Sequence, residues 1–436
     1  MLSAFGRAFK TPELRKKLLF TLGIIVLYRL GAHIPTPGVS YTAVQQCLAN
    51  APTNSGFLGL ANLFSGGALL QLAIFSLGIM PYITASIIVQ LLTVVIPRFE
   101  ALKKEGQAGQ AKMTQYTRYL TIGLAVLQSS TLVTFAQNPS SLFGAGCTNI
   151  LVDDSMITIV IMVLTMTAGT GLVMWLGEMV TDKGVGNGMS ILIFTSIAAT
   201  FPGALWTIRQ NRGWLTFLAI IAMGFVIIAL VVFVEQSQRR IPVQYAKRMV
   251  GRQMYGGTST YIPIKVNMAG VIPVIFASSL MTLPMMVAQF NTDPTGNNPG
   301  WVDWINANLA LGGEPVYMIV YTVLIVFFTF FYVSITFNPV EVADNMKRYG
   351  GFIPGIRAGR PTAEYLQYVL TRITVPGAIY LALISLIPLI AIASINADVN
   401  FPFGGTSILI IVGVGLETVK QIEAQLQQRH YEGFLR

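Results

Sequence analysis

GAHIPTPGVSYTAVQQCLANAPTNSGFLGLANLFSGGALLQLAIFSLGIMPYITASIIVQLLTVVIP, residues 31–97, contains no Lys, Arg, Asp or Glu. One membrane crossing needs about 20 apolar residues, so the stretch is too long for a single span. It does not read as one helix either. A polar loop fills 34–55, a short apolar piece runs from Gly56 to Phe64, and Ser65-Gly66-Gly67 breaks it. Phe75 to Ile96 is then long enough to cross a bilayer. This order predicts a half-inserted helix joined to a full span. Irregular backbone survives at membrane depth only inside protein or beside water. The stretch is therefore expected in the middle of the molecule, next to an aqueous path.

The rest of the chain agrees. Charged residues make up 11% of it, against about 25% in a soluble domain, which makes this an all-α polytopic membrane protein. The basic amphipathic start, MLSAFGRAFKTPELRKK, carries no small-residue cleavage site before the first span. The apolar segments predict ten spans, at roughly 18–35, 75–96, 118–137, 156–177, 188–206, 215–235, 268–289, 316–336, 367–391 and 405–422.

The net charge of +10 matters less than its placement. Of the 28 basic residues, only Arg209 and Arg212 fall in loops on one side, and Arg29 falls within the first span. The positive-inside rule then puts both termini in the cytoplasm. Cys47 and Cys147 both fall on the outer side, which is oxidising in many bacteria. They are either unrelated or a disulfide tying two outer loops together. Two long loops, 236–266 and 338–362, are basic, aromatic and turn-rich. Hairpins projecting into the cytoplasm are expected there. Their charge either only fixes topology or forms a docking surface, and their length favours docking.

Catalytic chemistry is hard to find. The spans hold almost no ionisable residues: Arg29 in the first, Glu178 and Glu235 at cytoplasmic ends. Ion-coupled carriers usually need such groups as relays, which counts against an inverted-repeat secondary transporter, the competing class. No metal set, cofactor motif or P-loop stands out. His33 and His430 share no ligand spacing. GVGNG, 184–188, reads as a tight turn, and Asp153-Asp154 as a helix cap and dipole partner.

Nine stretches carry a family likeness: NLFSGGAL (62–69), LGIMPYITASIIVQLLTVV (77–95), KKEGQAGQAKMTQYTRY (103–119), GVGNGMS (184–190), QRRIPVQYAKR (238–248), NMAGVIPVIFASS (267–279), GGFIPGIRAGRPT (350–362), FGGTS (403–407) and YEGFL (431–435). They run in order along nearly the whole chain, which closely resembles the bacterial SecY family of protein-conducting channels.

The resemblance implies two inverted-repeat halves, 1–208 and 209–436, closing like a clamshell around a central pore. It implies a non-enzymatic channel in the plasma membrane, with no cofactor, that passes unfolded secretory chains and releases apolar segments sideways into the lipid bilayer. A pore ring would be formed by Ile79, Ile83, Met189, Ile193, Ile275 and Ile410. Met189 stands where isoleucine is usual in the family. Ile79/Ile83 and Met189/Ile193 are i, i+4 pairs, each on one helix face, and an apolar neck gates ions by dewetting. A plug at about 56–67 would include Leu60, Asn62, Phe64, Ser65, Gly66 and Gly67; a lateral gate that signal sequences open would include Thr84, Gln128 and Asn267. Lys247, Arg248, Arg252, Arg357 and Arg360 would meet the SecA motor or the ribosome. SecE and SecG are the implied membrane partners. GIRAG at 355–359 departs from the usual GIRPG, so Ala358 removes one rigid turn constraint.

Overall fold

The computed structural model describes residues 9–50, 65–137, 139, 147, 150–153, 155–245, 248–250, 253–255, 259–291, 298–309, 314–395 and 405–432. Each of the ten expected spans falls on a helix: α1 (Pro12–Gly31), α3 (Met80–Val95), α5 (Gln107–Gln137), α6 (Met156–Lys183), α7 (Gly188–Gln210), α8 (Gly213–Gln236), α9 (Ile272–Phe290), α11 (Pro315–Thr336), α13 (Arg360–Ile395) and α14 (Gly405–Glu432). Between them lie the short helices α2 (Tyr41–Asn50), α4 (Pro97–Lys104), α10 (Gly300–Asn308) and α12 (Pro339–Arg348). Among the described residues six helices are long and apolar enough to cross a membrane on their own. The others fall short for visible reasons. Basic residues crowd the start of α1 and the end of α14, and α3 has only 16 residues.

The short α3 corrects the expected second span. Residues 65–79 are not its first turns but a run of tight turns, with Leu72 at φ 48° and Gly78 at φ 55°. Helix begins only at Met80, with Pro81 in its first turn, where a missing N–H costs nothing. At its other end α3 bends by 100° into α4 at Pro97. The irregular run is deeply buried, from Ser65 through Ala68, Leu72, Ala73, Phe75, Ser76 and Leu77. That is the protected setting such backbone needs at membrane depth.

Between α7 and α8 the chain breaks at Gly213, whose φ 82° and ψ 177° lie outside the helical region. Only a residue without a Cβ takes that conformation cheaply.

The two long loops share one three-stranded sheet. β1 (Gln238–Tyr245) pairs antiparallel with β4 (Ser259–Lys265), Arg240 opposite Pro263. The next loop adds β5 (Gly351–Phe352) to the other edge of β1, Gln244 opposite Phe352. Strands β2 (Arg248–Val250) and β3 (Gln253–Tyr255) pair as a separate ribbon. Inward Ile241, Val243 and Ile264 pack with Met346, Ile353 and Leu366 into a core that roots the sheet on α12 and α13. α12 was not expected. Its start carries a full signal, Asn338-Pro339-Val340-Glu341, and Asn338 Oδ1 accepts from the Val340 and Glu341 amides at 3.2 and 3.5 Å.

Three membrane cores follow the order of the chain. One joins α2, α5, α6 and the 65–79 turns. A second joins α8, α9, α11, α13 and α14. The third draws on α1, α3, α6 and α7 together with α9 and α14.

Candidate functional site

That third core holds the six ring positions. Ile79, Met189, Ile193, Ile275 and Ile410 are buried in it, and Ile83 packs against it partly buried. Four helices converge there: α3 and α7 from the early spans, α9 and α14 from the late ones. Ile79 is the N-cap residue of α3, and the Ile83 amide donates to its carbonyl at 3.1 Å, so the pair occupies one helical turn. On α7 the start is set by Asn187, whose Oδ1 accepts from the Met189 and Ser190 amides at 3.1 and 3.4 Å. This cap fixes where Met189 and Ile193 point. Met189 fills room left by a glycine: a Cβ on Gly177 would sit 2.5 Å from its Sδ. A thioether adapts to such an irregular gap better than a branched isoleucine does.

The sequence did not single out the neighbours that complete the cluster. Tyr28 of α1, Phe75 of the turns, and Leu192 and Ile197 of α7 are buried in the same core. Phe75 stacks on Tyr28 with ring centroids 6.0 Å apart. Helical spacing from Ile193 points to Ile197, but nothing local points to Phe75. Polar groups border this apolar core. Tyr28 Oη and Ser196 Oγ share a 2.7 Å hydrogen bond, and Arg29 Nη1 donates to the Gly66 carbonyl at 2.9 Å. The ring itself offers dispersion and dewetting, with no acid, base or nucleophile among its six side chains.

Of the expected plug residues, Leu60, Asn62 and Phe64 lie outside the described residues. Ser65 is fully buried and its Oγ accepts from the Leu69 amide at 3.0 Å. Gly66 and Gly67 follow at φ 68° and 91°.

The three expected gate residues do not form one hydrogen-bonded cluster. Thr84 Oγ1 donates back to the Met80 carbonyl at 3.0 Å, and Gln128 is half-buried. Buried Asn267 turns to the sixth span: its amide donates to Glu235 Oε1 at 2.6 Å and to the Gly270 carbonyl at 3.2 Å. Among the described residues its Oδ1 is buried without a partner.

Of the docking residues, Lys247 and Arg252 lie outside the described residues, and Arg248 is placed by its backbone opposite Tyr255. Arg357 and Arg360 are exposed. Arg357 sits between Gly355 and Gly359, both at positive φ, and its carbonyl accepts from Thr362 Oγ1 at 2.9 Å. Among the described residues Arg360 pairs with Glu364, an exposed pair of little energetic weight.

Cys47 and Cys147 are joined as a disulfide with Cα atoms 5.4 Å apart. It lies beside a small antiparallel contact in which Ser40 N reaches Ile150 O and Val152 N reaches Gly38 O, each at 2.9 Å. The Asp153-Asp154 reading needs correction. The residue capping α6 is Ser155, whose Oγ accepts from the Thr158 amide at 3.4 Å. A hydroxyl one residue nearer the helix has the better reach.

Residues 73–419 match the protein family described as SecY. The protein translocase subunit SecY of Streptomyces scabiei is 68% identical over 442 residues, spanning 100% of both chains. Its counterpart in Mycobacterium tuberculosis is 58% identical over the same length, again with full coverage. Among solved structures, the fold is similar to that of a protein-conducting channel, with TM-score 0.63, 20% identity, and 94% and 91% of the two chains covered. It is also similar to Sec61 in the canine ribosome–channel complex, with TM-score 0.61, 18% identity and the same coverage. The chain belongs to the SecY family.

Proposed function

We propose that the apolar core shared by α3, α7, α9 and α14 is the closable neck of a polypeptide channel. The chain is a multi-pass membrane subunit of the protein translocase and not an enzyme. What supports the neck is one observation: six apolar side chains from early and late spans, none of them an acid, a base or a nucleophile, meet in one core. A narrow oily collar keeps out hydrated ions and makes no specific bond to a passing chain, so any unfolded sequence can slide through. A small-solute carrier would need binding groups at that depth, and the collar supplies none.

Around the neck we assign the parts that the family likeness implies. Residues 56–67 are the plug. The side door opens between α3 and α5 on one side and α9 and α11 on the other, with Thr84, Gln128 and Asn267 near it. A signal sequence opens the door, and apolar segments leave through it into lipid. The halves 1–208 and 209–436 turn about the break at Gly213. The basic placement of the loops puts both termini in the cytoplasm of a bacterium, with the channel in its plasma membrane. The cytoplasmic sheet and the Arg357 loop receive SecA or the ribosome, whose RNA would favour the same charge. SecE and SecG complete the membrane complex.

Reconstitution tests the whole reading. The chain, purified with SecE and SecG into vesicles, should render a secretory precursor resistant to external protease when SecA and ATP are added. No protection, with all three subunits inserted and SecA bound, contradicts it.

A further inference from the structure

An arginine near the membrane interior demands a partner, because an unpaired buried charge is costly. Arg29, in the last turn of α1, is half-buried. Among the described residues no carboxylate pairs with it, and residues 31–97 contain none. Its Nη1 instead donates to the Gly66 carbonyl at 2.9 Å. The fit at Gly66 is close on two sides. A Cβ there would come 2.7 Å from Arg29 Nη1 and 3.1 Å from Ser196 Cα, and φ is 68°. Ser196 lies three residues beyond Ile193 on α7 and is tied to Tyr28 of α1 by the 2.7 Å hydroxyl pair. So α1 and α7 are fastened together beside the ring, and the 65–67 turn is wedged against that fastening. Ser65 is fully buried next to it.

We infer that Arg29 is a positioning residue for the closed channel, a latch that holds the glycine turn at 65–67 against α7 just beyond the apolar ring. This inference rests on the channel reading above. The latch is opened by movement of the turn away from Arg29. Whatever displaces the turn must break a charge-assisted hydrogen bond, which sets part of the resistance to opening in an idle channel. Loss of such a bond should favour the open form by roughly ten- to hundredfold.

The test uses the reconstituted translocase in planar bilayers without substrate. Arg29→Met and Gly66→Ala should each raise the idle open probability by about tenfold or more. The double variant should be no leakier than the leakier single, because both remove the same contact. Arg29→Lys, which keeps a donor and a charge, should restore most of the seal. The same variants should export a reporter whose signal sequence is defective. Idle conductance at the wild-type level in Arg29→Met overturns the latch, and so does strict additivity of the two single changes. If Arg29→Met does not accumulate in the membrane, Gly66→Ala decides, since it leaves α1 untouched; a tight Gly66→Ala channel overturns the latch. Failure of the wild-type complex to translocate a precursor would instead count against the channel reading.

Discussion

Asn267 and Glu235 show how one contact redirects an expectation. The amide was expected to help close a polar gate, yet it spends both donors on the carboxylate of Glu235 and the carbonyl of Gly270. On the gate proposed above, its influence would run through the anchoring of the segment before α9 to α8. Asn267→Leu removes a donor to a half-buried carboxylate and should cost about 1.5–3 kcal/mol. Its export of substrates with defective signals should rise, whereas Glu235→Gln, which keeps an acceptor oxygen, should stay nearer wild type. Equal phenotypes for the two would show that the contact does not carry the effect. Arg357 makes the opposite case. It is exposed, its side chain adds nothing to the core, and the glycines beside it hold it out as a tip. Arg357→Glu should abolish translocation and leave membrane levels unchanged; translocation that persists would remove the loop from the docking surface. The ring residues were not legible singly. Ile275 in an apolar helix looks like any packing isoleucine, and only the family likeness marked it. Met189 is explained by the gap at Gly177, a contact that no sequence window contains.

At the scale of elements, ten apolar runs became ten helices, because a backbone in lipid has few other ways to satisfy its polar groups. Their ends were less legible. Residues 75–79 have the composition of a span, but Gly78 and Leu72 take positive φ and keep the turns going until Met80. Helix α12 has a legible Asn-Pro-x-Glu start, but the Gly-Gly and Pro-Gly pairs that follow it carry the stronger turn signal. The addition of β5 to the edge of β1 joins segments about a hundred residues apart, and no local pattern announces it. The segments after α1 and before α6 are tied by the Cys47–Cys147 disulfide, which spans 100 positions. Removing such a bond typically costs about 2–5 kcal/mol. A thiol assay on denatured, unreduced protein from membranes should find no free thiol, and two free thiols would contradict the bond. Cys47 sits in α2, the last described element before the segment assigned to the plug.

The whole molecule is arranged about a seam. One core is buried among the early spans, one among the late spans with Ile87, Phe201 and Leu205 of α3 and α7 packed against it, and the third draws its buried residues from both. On the clamshell proposed above, the shared core is where the two halves would part. The distribution of Lys and Arg was legible at this scale from the start, because it depends on side and not on contact. The seam was not, since it needs the pairing of helices that are nearly 200 residues apart. Crosslinking tests it most directly. A photoreactive side chain should replace, one at a time, Ile193, Ile275 and the exposed Ile319 of α11, with a secretory chain arrested halfway through. The account predicts strong crosslinks to the arrested chain from Ile193 and Ile275 and none from Ile319. Crosslinks to lipid alone from both ring positions would contradict it.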